Sequence, residues 1–135
     1  MSKTKTSALE RVKRIVAGKI SSLEAETAEY ARQMTEDYVD FFQNKSERAY
    51  KTTYKLQELR RTADRLNEKY DIEVYNYLWA RAEITTSQLL NEPLQRHSTN
   101  GMANLAFALE AECKQELRNI YIRLAEILAE SMQID

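Results

Sequence analysis

Basic side chains repeat at helical spacing in the middle of the chain, and tyrosines lie beside them. The steps of three or four residues place these cations along one face of a helix. These steps join Lys45, Arg48, Lys51 and Lys55, with Tyr50 and Tyr54 alongside, and Arg61 and Arg65 repeat the spacing further on. We call these six cations the basic face. Cations at this pitch can follow a phosphate backbone, and tyrosine rings can stack on unpaired bases. The basic face therefore predicts a nucleic-acid site, and the competing interpretation is that acidic residues of the first helix neutralise it.

No pattern in the sequence predicts catalysis or a cofactor. The single histidine, His97, lies in a polar segment, without a cysteine or an acidic pair at the spacing of a metal site. Phosphate-binding glycine loops, nucleophile elbows and the His-Glu-x-x-His zinc motif are absent from the sequence. The Glu-x-x-His pairs of helical di-iron proteins are absent as well. We therefore expect a protein that is not an enzyme and that binds neither a metal nor another cofactor.

Five aromatic residues concentrate around residue 44, where the chain is expected to turn. They are Tyr38, Phe41, Phe42, Tyr50 and Tyr54. If the last helix folds back along a continuous second helix, the chain ends beside Leu56 and leaves only two helices at this turn. Two helices cannot bury five aromatic side chains, so we expect an exposed patch that binds a protein partner or a second copy. The alternative is a break near Asp71, because shorter helices could then cover the turn.

Length and composition indicate one helical domain that spans residues 1–135. The chain has two glycines and one proline, too few for the turns of a β-rich fold. Lys and Arg total 20 against 21 Asp and Glu, so no overall field of one sign attracts a nucleic acid or a membrane. A single cysteine, Cys113, falls on an apolar helix face. We expect it to be a buried free thiol.

The apolar spacing predicts three long helices, over 7–42, 46–91 and 100–133. Ser7 and Glu10 have the spacing of a capping box at the first helix start. The last helix is apolar over more than half its circumference, which indicates a central position in a bundle or a contact between subunits. The predicted fold is an elongated, antiparallel, all-α bundle with coiled-coil-like packing. A break near Asp71 would make four helices of the three.

Charges along the first two helices favour an antiparallel pair that turns near residue 44. Residues 24–40 carry six acidic side chains and one arginine, and the facing residues 48–64 carry five basic side chains and two acidic ones. Opposite charges of this kind select the orientation of a helix pair more than they stabilise it. Gly18, inside the first helix, has two interpretations: close approach of a neighbouring helix or a tolerated glycine.

No part of the sequence predicts a membrane span or a leader. No segment approaches the ~18 uninterrupted apolar residues that a membrane-spanning helix needs. Residues 1–19 lack the apolar core of a signal peptide. We therefore expect no membrane partner and a cytoplasmic location.

One short string resembles part of a known family. Residues 100–107, Asn-Gly-Met-Ala-Asn-Leu-Ala-Phe, are similar to a helix start in the small helical subunits of CRISPR effector complexes, which line a guide RNA. The string covers eight residues of 135 and stands farther from the N-terminus than in that family. The resemblance favours RNA binding as the alternative function.

These features predict a non-catalytic helical module for protein interaction or assembly. We expect it to self-associate, or to dock as a regulator or inhibitor on a larger protein, through the aromatic residues around residue 44. The alternative is a small helical protein that binds RNA or DNA on the basic face, as a subunit of a ribonucleoprotein complex.

Overall fold

A computed structural model describes residues 7–68, 70–95 and 100–132 of the chain. All the elements in this part of the chain are helices. They are α1 (Ala8–Glu36), α2 (Tyr38–Asn44), α3 (Ser46–Asn67), α4 (Asp71–Gln95) and α5 (Gly101–Met132). The prediction of an all-α protein is therefore confirmed for the described residues. His97 lies outside them.

The predicted first helix, over 7–42, is divided into α1 and α2. Its start is as predicted, because the Ser7 hydroxyl accepts from the Glu10 backbone N–H at 3.0 Å and the Glu10 carboxylate accepts from that of Ser7 at 3.2 Å. At Asp37 the backbone leaves the helical region, with φ −152° and ψ 89°. The Asp37 carboxylate accepts from the Asp40 backbone N–H at 3.1 Å and so caps a new helix.

The predicted second helix, over 46–91, is also divided, at residues 68–70. α3 ends at Asn67 and α4 begins at Asp71, so the structure contains the break that the sequence offered as the alternative. The Tyr70 backbone N–H donates to the Glu73 carboxylate at 3.0 Å. Asp71 and Glu73 also place negative charge in the first turn of α4, where the helix dipole favours it. These interactions stabilise a new helix start in place of a continuous helix.

The break changes where the last helix lies. Glu110 of α5 bonds to Tyr50 of α3, and further along both helices Glu116 of α5 bonds to Lys55. α5 therefore runs in the same direction as α3, with α4 as the return between them. The last helix packs on α4, within the second part of the predicted helix 46–91. The expectation that it continues back along residues 46–67 until the chain ends beside Leu56 is wrong, because that required a continuous second helix.

The other pairings place α5 in the middle of the fold. α5 packs on α1, α3 and α4, and α1 also packs on α2 and α3. Glu24 of α1 meets Arg60 of α3, whereas Glu26 accepts from Thr52, so these two helices run in opposite directions. The central position expected for the last helix is thus observed.

The apolar core lies around α5, where α1, α3 and α4 pack on it and α1 packs on α3. Its most buried side chains are Val12, Val16, Leu59, Leu66, Val74, Leu78, Leu117, Tyr121, Leu124 and Leu128. Each large side chain buried in this way stabilises the fold by about 1.5–3 kcal/mol. Cys113 is a buried free cysteine, as predicted. Burial raises the pKa of its thiol to about 11.

Among the described residues, none of the helices combines the length and the apolar character that crossing a bilayer requires.

Candidate interaction surface

The aromatic residues around residue 44 divide into buried and exposed side chains. Phe41 is only 8 % exposed, and its ring meets that of Tyr30 edge to face with the centroids 6.2 Å apart. Tyr54 is half-buried and packs on the core. Tyr38 and Phe42 are 61 % and 49 % exposed, and their rings stack with the centroids 6.2 Å apart. Phe41 and Tyr54 therefore do not belong to the exposed patch that the sequence predicted.

α5 lies beside the turn, contrary to the expectation that only two helices meet there. The hydroxyl of Tyr50 donates to the Glu110 carboxylate of α5 at 2.6 Å. Tyr50 is still 39 % exposed. It is therefore a contact between α3 and α5 as well as a partly exposed aromatic.

Two apolar side chains that the site prediction omitted extend the exposed patch. Met34, at the end of α1, is 40 % exposed, and Val39 of α2 is 65 % exposed. With Tyr38 and Phe42 they make up what we call the tip surface. The sequence contained evidence for including Met34, because Met34, Tyr38 and Phe42 follow at steps of four residues. However, the single helix predicted over 7–42 does not contain the end of α1 at Glu36, so that prediction gave no reason to include Met34 in the patch.

Two interactions fix the orientation of α2, so that its part of the tip surface faces solvent. At its start the Asp37 carboxylate caps the helix, and on its inner side Phe41 packs against Tyr30 of α1. Because a helix of seven residues presents opposite sides to core and solvent, anchoring Phe41 turns Val39 and Phe42 outward. The tip surface is therefore displayed on a short helix that its own cap and one buried ring fix in place.

The flank of the tip surface is acidic. In α1, the Arg32 guanidinium bonds to both Glu29 and Glu36. The bonds to Glu29 from Arg32, and then from Gln33, lower the pKa of that carboxyl to about 2. Asp40 accepts from the Asn44 amide at 2.8 Å. Lys45 also pairs with Asp40, at 3.9 Å. The carboxylates of Glu29, Glu36, Asp37 and Asp40 still outnumber Arg32 and Lys45, so this border of the tip surface has a net negative charge.

The basic face predicted on the second helix is largely neutralised. Lys51 and Lys55 meet Glu112 and Glu116 of α5 at 3.0 and 2.9 Å. The hydrogen bond to Glu112 raises the pKa of Lys51. The remaining ion pairs join Arg61 to Glu58, Arg65 to Glu68 and Lys45 to Asp40, at 2.8, 3.9 and 3.9 Å.

Most of the neutralising carboxylates come from unexpected elements. The sequence assigned them to the first helix, over 7–42, which contributes Asp40 to Lys45 and Glu24 to Arg60. The partners of Lys51, Lys55 and Arg61 come instead from α5 and from α3 itself. Arg48 is exposed and has no ion pair within the described part of the chain. The cations of the basic face thus connect helices more than they form one free positive surface.

A polar cleft of about 540 Å³ lies where α3 and α4 diverge above α5. Its floor includes Thr62 and the buried Tyr121, and Arg81 of α4 lies over the Tyr121 ring at 5.9 Å from its centroid. Arg81 also approaches the Glu58 carboxylate at 3.6 Å. The lining has three arginines and three carboxylic acids, so it offers no net charge to a ligand. We interpret the ion pair between Arg81 and Glu58 as a structural link between α3 and α4 across the cleft.

Within residues 7–68, 70–95 and 100–132, no three His, Cys, Asp or Glu side chains come together in a way that could hold a metal ion.

Comparison with models of known protein families, with curated proteins and with solved structures finds no match to this chain.

Proposed function

We propose that this protein is a non-catalytic helical module for interaction or assembly, which binds another protein surface through the tip surface. The observation that carries the proposal is the exposure of Met34, Tyr38, Val39 and Phe42 together at one end of the fold. The elongated bundle, with antiparallel and coiled-coil-like packing, is the scaffold we propose for it. A cytoplasmic location belongs to the same proposal.

The size of the tip surface supports this function. A large aromatic side chain contributes about 150–250 Å² when fully covered, so four half-exposed large side chains present roughly 400 Å². The largest apolar patch on a typical soluble monomer has about this size, and such patches are often functional. Polar residues around the patch must complete the contact, because a standard interface covers about 800 Å² on each partner.

The partner is a second copy of the chain or a larger protein on which this one docks as a regulator or inhibitor. Either partner would cover Tyr38 and Phe42, which now stack on each other in solvent. Burial of aromatic rings of this kind is typical of the energetic centre of an interface.

The test replaces both stacked rings, Tyr38→Ser with Phe42→Ser, and measures mass in solution by light scattering over a range of concentrations. We expect lost association with helicity unchanged, because both side chains point outward. The matched control is Tyr70→Ser with Ile72→Ser, which removes two side chains that are 81 % and 56 % exposed elsewhere. The proposal is wrong if the tip variant and the control behave alike, both in self-association and in capture of partners from an extract.

Nucleic-acid binding by the basic face is the alternative that the sequence offered. The ion pairs of Lys51 and Lys55 weigh against it, because each phosphate contact would have to displace a carboxylate. Steep weakening of binding with rising salt, and loss of mass after nuclease treatment, would favour it over the tip surface.

A further inference from the structure

The charge on α1 is divided along its length. Residues 8–22 carry four basic side chains and one acidic one, whereas residues 24–40, which continue into α2, carry six acidic side chains and one arginine. We call these the basic half and the acidic half of α1. A division of this kind makes one helix complementary to a second copy of itself that runs in the opposite direction.

The basic half is not neutralised from within the chain. Arg11, Arg14 and Lys19 are exposed, and none of the described residues forms an ion pair with them. The acidic half is satisfied only in part: Arg32 pairs with Glu29 and Glu36, Lys45 pairs with Asp40, and Arg60 pairs with Glu24, so the six carboxylates exceed these three cations. Positive charge at one end and excess negative charge at the other are thus both open to a partner.

Arg11, Arg14 and Glu36 lie on the face of α1 opposite its buried residues, whereas Lys19 lines a cleft with α3 and α5 and Glu24 pairs with Arg60 of α3. The exposed side chains of this face follow at steps of three or four residues: Arg14, Gly18, Ser21, Ala25, Ala28, Arg32 and Glu36. Val39, at the end of the same face, belongs to the tip surface. The outward face of α1 and the tip surface can therefore be covered by one partner.

We propose that a second copy of the chain covers this face, with the two α1 helices antiparallel and crossing near Ala25. This inference rests on the proposed function, because it names the occupant of the tip surface. About a two-fold axis at the crossing, Arg14 of each copy would face Glu36 of the other, and Arg11 would face Asp40. A parallel arrangement would instead oppose like charges.

The area that a stable dimer needs favours the same occupant. The tip surface presents only about half of the ~800 Å² that each partner of a standard interface buries. The outward face of α1, which is 29 residues long, supplies further area next to it. In the antiparallel arrangement, the tip surface of each copy lies against the first turns of α1 of the other, where arginine side chains can also stack on Tyr38.

The experiment exchanges the charges. An acidic variant carries Arg11→Glu and Arg14→Glu, and a basic variant carries Glu36→Arg and Asp40→Arg. Each alone should self-associate about tenfold more weakly than the unmodified chain, or weaker still, because like charges then face each other. An equimolar mixture should form a heterodimer, since opposite charges meet at both ends. Light scattering and sedimentation measure the masses, and circular dichroism reports folding.

The control for net charge is Arg65→Glu with Arg123→Glu, two arginines of α3 and α5 that are more than half exposed. It changes the net charge as much as the acidic variant does and should leave association unchanged. The mixture also guards against misfolding, because a heterodimer requires two folded variants.

Three results would overturn the inference: a monomeric unmodified chain at all concentrations, charge variants that associate as the unmodified chain does, or a mass that falls on nuclease treatment. The second result, together with lost association in the Tyr38→Ser, Phe42→Ser variant, would leave the tip surface as an interaction site and remove only the pairing of α1. A monomeric chain that still captures a different protein through Tyr38 and Phe42 would also leave the tip surface as an interaction site and remove only the pairing of α1.

Discussion

Gly18 is a residue for which the sequence allows two structural roles and the structure selects one. In the sequence it fits both a close helix contact and a tolerated glycine. The structure decides for the second within one chain, because a Cβ atom built at Gly18 meets nothing within 4 Å. The glycine therefore costs helix stability without bringing any packing in return.

We expect Gly18→Ala to raise the free energy of unfolding by about 0.5–1 kcal/mol, because alanine loses less backbone freedom in a helix. Urea unfolding followed by circular dichroism at low protein concentration measures it. Ala17→Gly, at the neighbouring exposed position, should lower the free energy by a similar amount. Equal stability of the alanine variant and the unmodified chain would contradict the open space at residue 18.

At the scale of elements, the cap at Asp37 decides how the tip surface is presented. The cap stabilises the start of α2 at Tyr38 and so supports the outward orientation of Tyr38 and Phe42. One hydrogen bond, from the Asp40 backbone N–H to the Asp37 carboxylate, therefore connects a local backbone preference to the proposed interface.

Asp37→Ala should destabilise α2 by about 1 kcal/mol, the usual cost of a lost N-cap. Hydrogen exchange should then be several-fold faster at the amides of residues 38–44 and little changed in α5. Asp37→Asn is the control, because asparagine caps helices about as well as aspartate does. If the alanine and asparagine variants exchange alike, the side-chain cap does not hold α2.

The sequence could predict the helices but not all of their ends. Apolar spacing and the Ser7 capping box located the start of α1, and the polar run around residue 44 located the turn into α3. The end of α1 at Asp37 was missed because apolar spacing continues across it, and the break before Asp71 was predicted only as the alternative to a continuous helix. An N-cap stabilises a new helix start by only about 1 kcal/mol. Tertiary packing contributes more than this to helix stability, so packing determines whether a helix continues or ends.

The break before Asp71 also changes the candidate site. Once α4 returns the chain, α5 can lie beside α3, so Glu110 reaches Tyr50 and Glu112 reaches Lys51. The burial of Phe41 and the exposure of Val39 depend on the direction in which α2 leaves Asp37. These positions follow from the placement of whole helices, which spacing along a single helix does not contain.

For the whole molecule, α5 is the helix on which the others depend, since α1, α3 and α4 all pack on it. Leu117 lies inside this arrangement and is 2 % exposed. A charge there could find neither water nor an opposite charge.

Leu117→Asp should therefore unfold the chain or lower its free energy of unfolding by several kcal/mol. Thermal unfolding followed by circular dichroism measures the change. Ile84→Asp is the matched control on α4, where the side chain is 46 % exposed, and its midpoint should change little. A stable Leu117→Asp protein would show that the core has been placed incorrectly.

α3 and α5 run side by side in the same direction, and Tyr50 and Glu110, which bond to each other, are 60 residues apart in the chain. Neighbours of this kind cannot be joined by a short turn, so closing their contact orders a long segment at once. α1 with α3, and α4 with α5, are joined by much shorter segments and can pair locally. We therefore expect two helical hairpins to form early in folding, and their meeting along α5 to limit the folding rate.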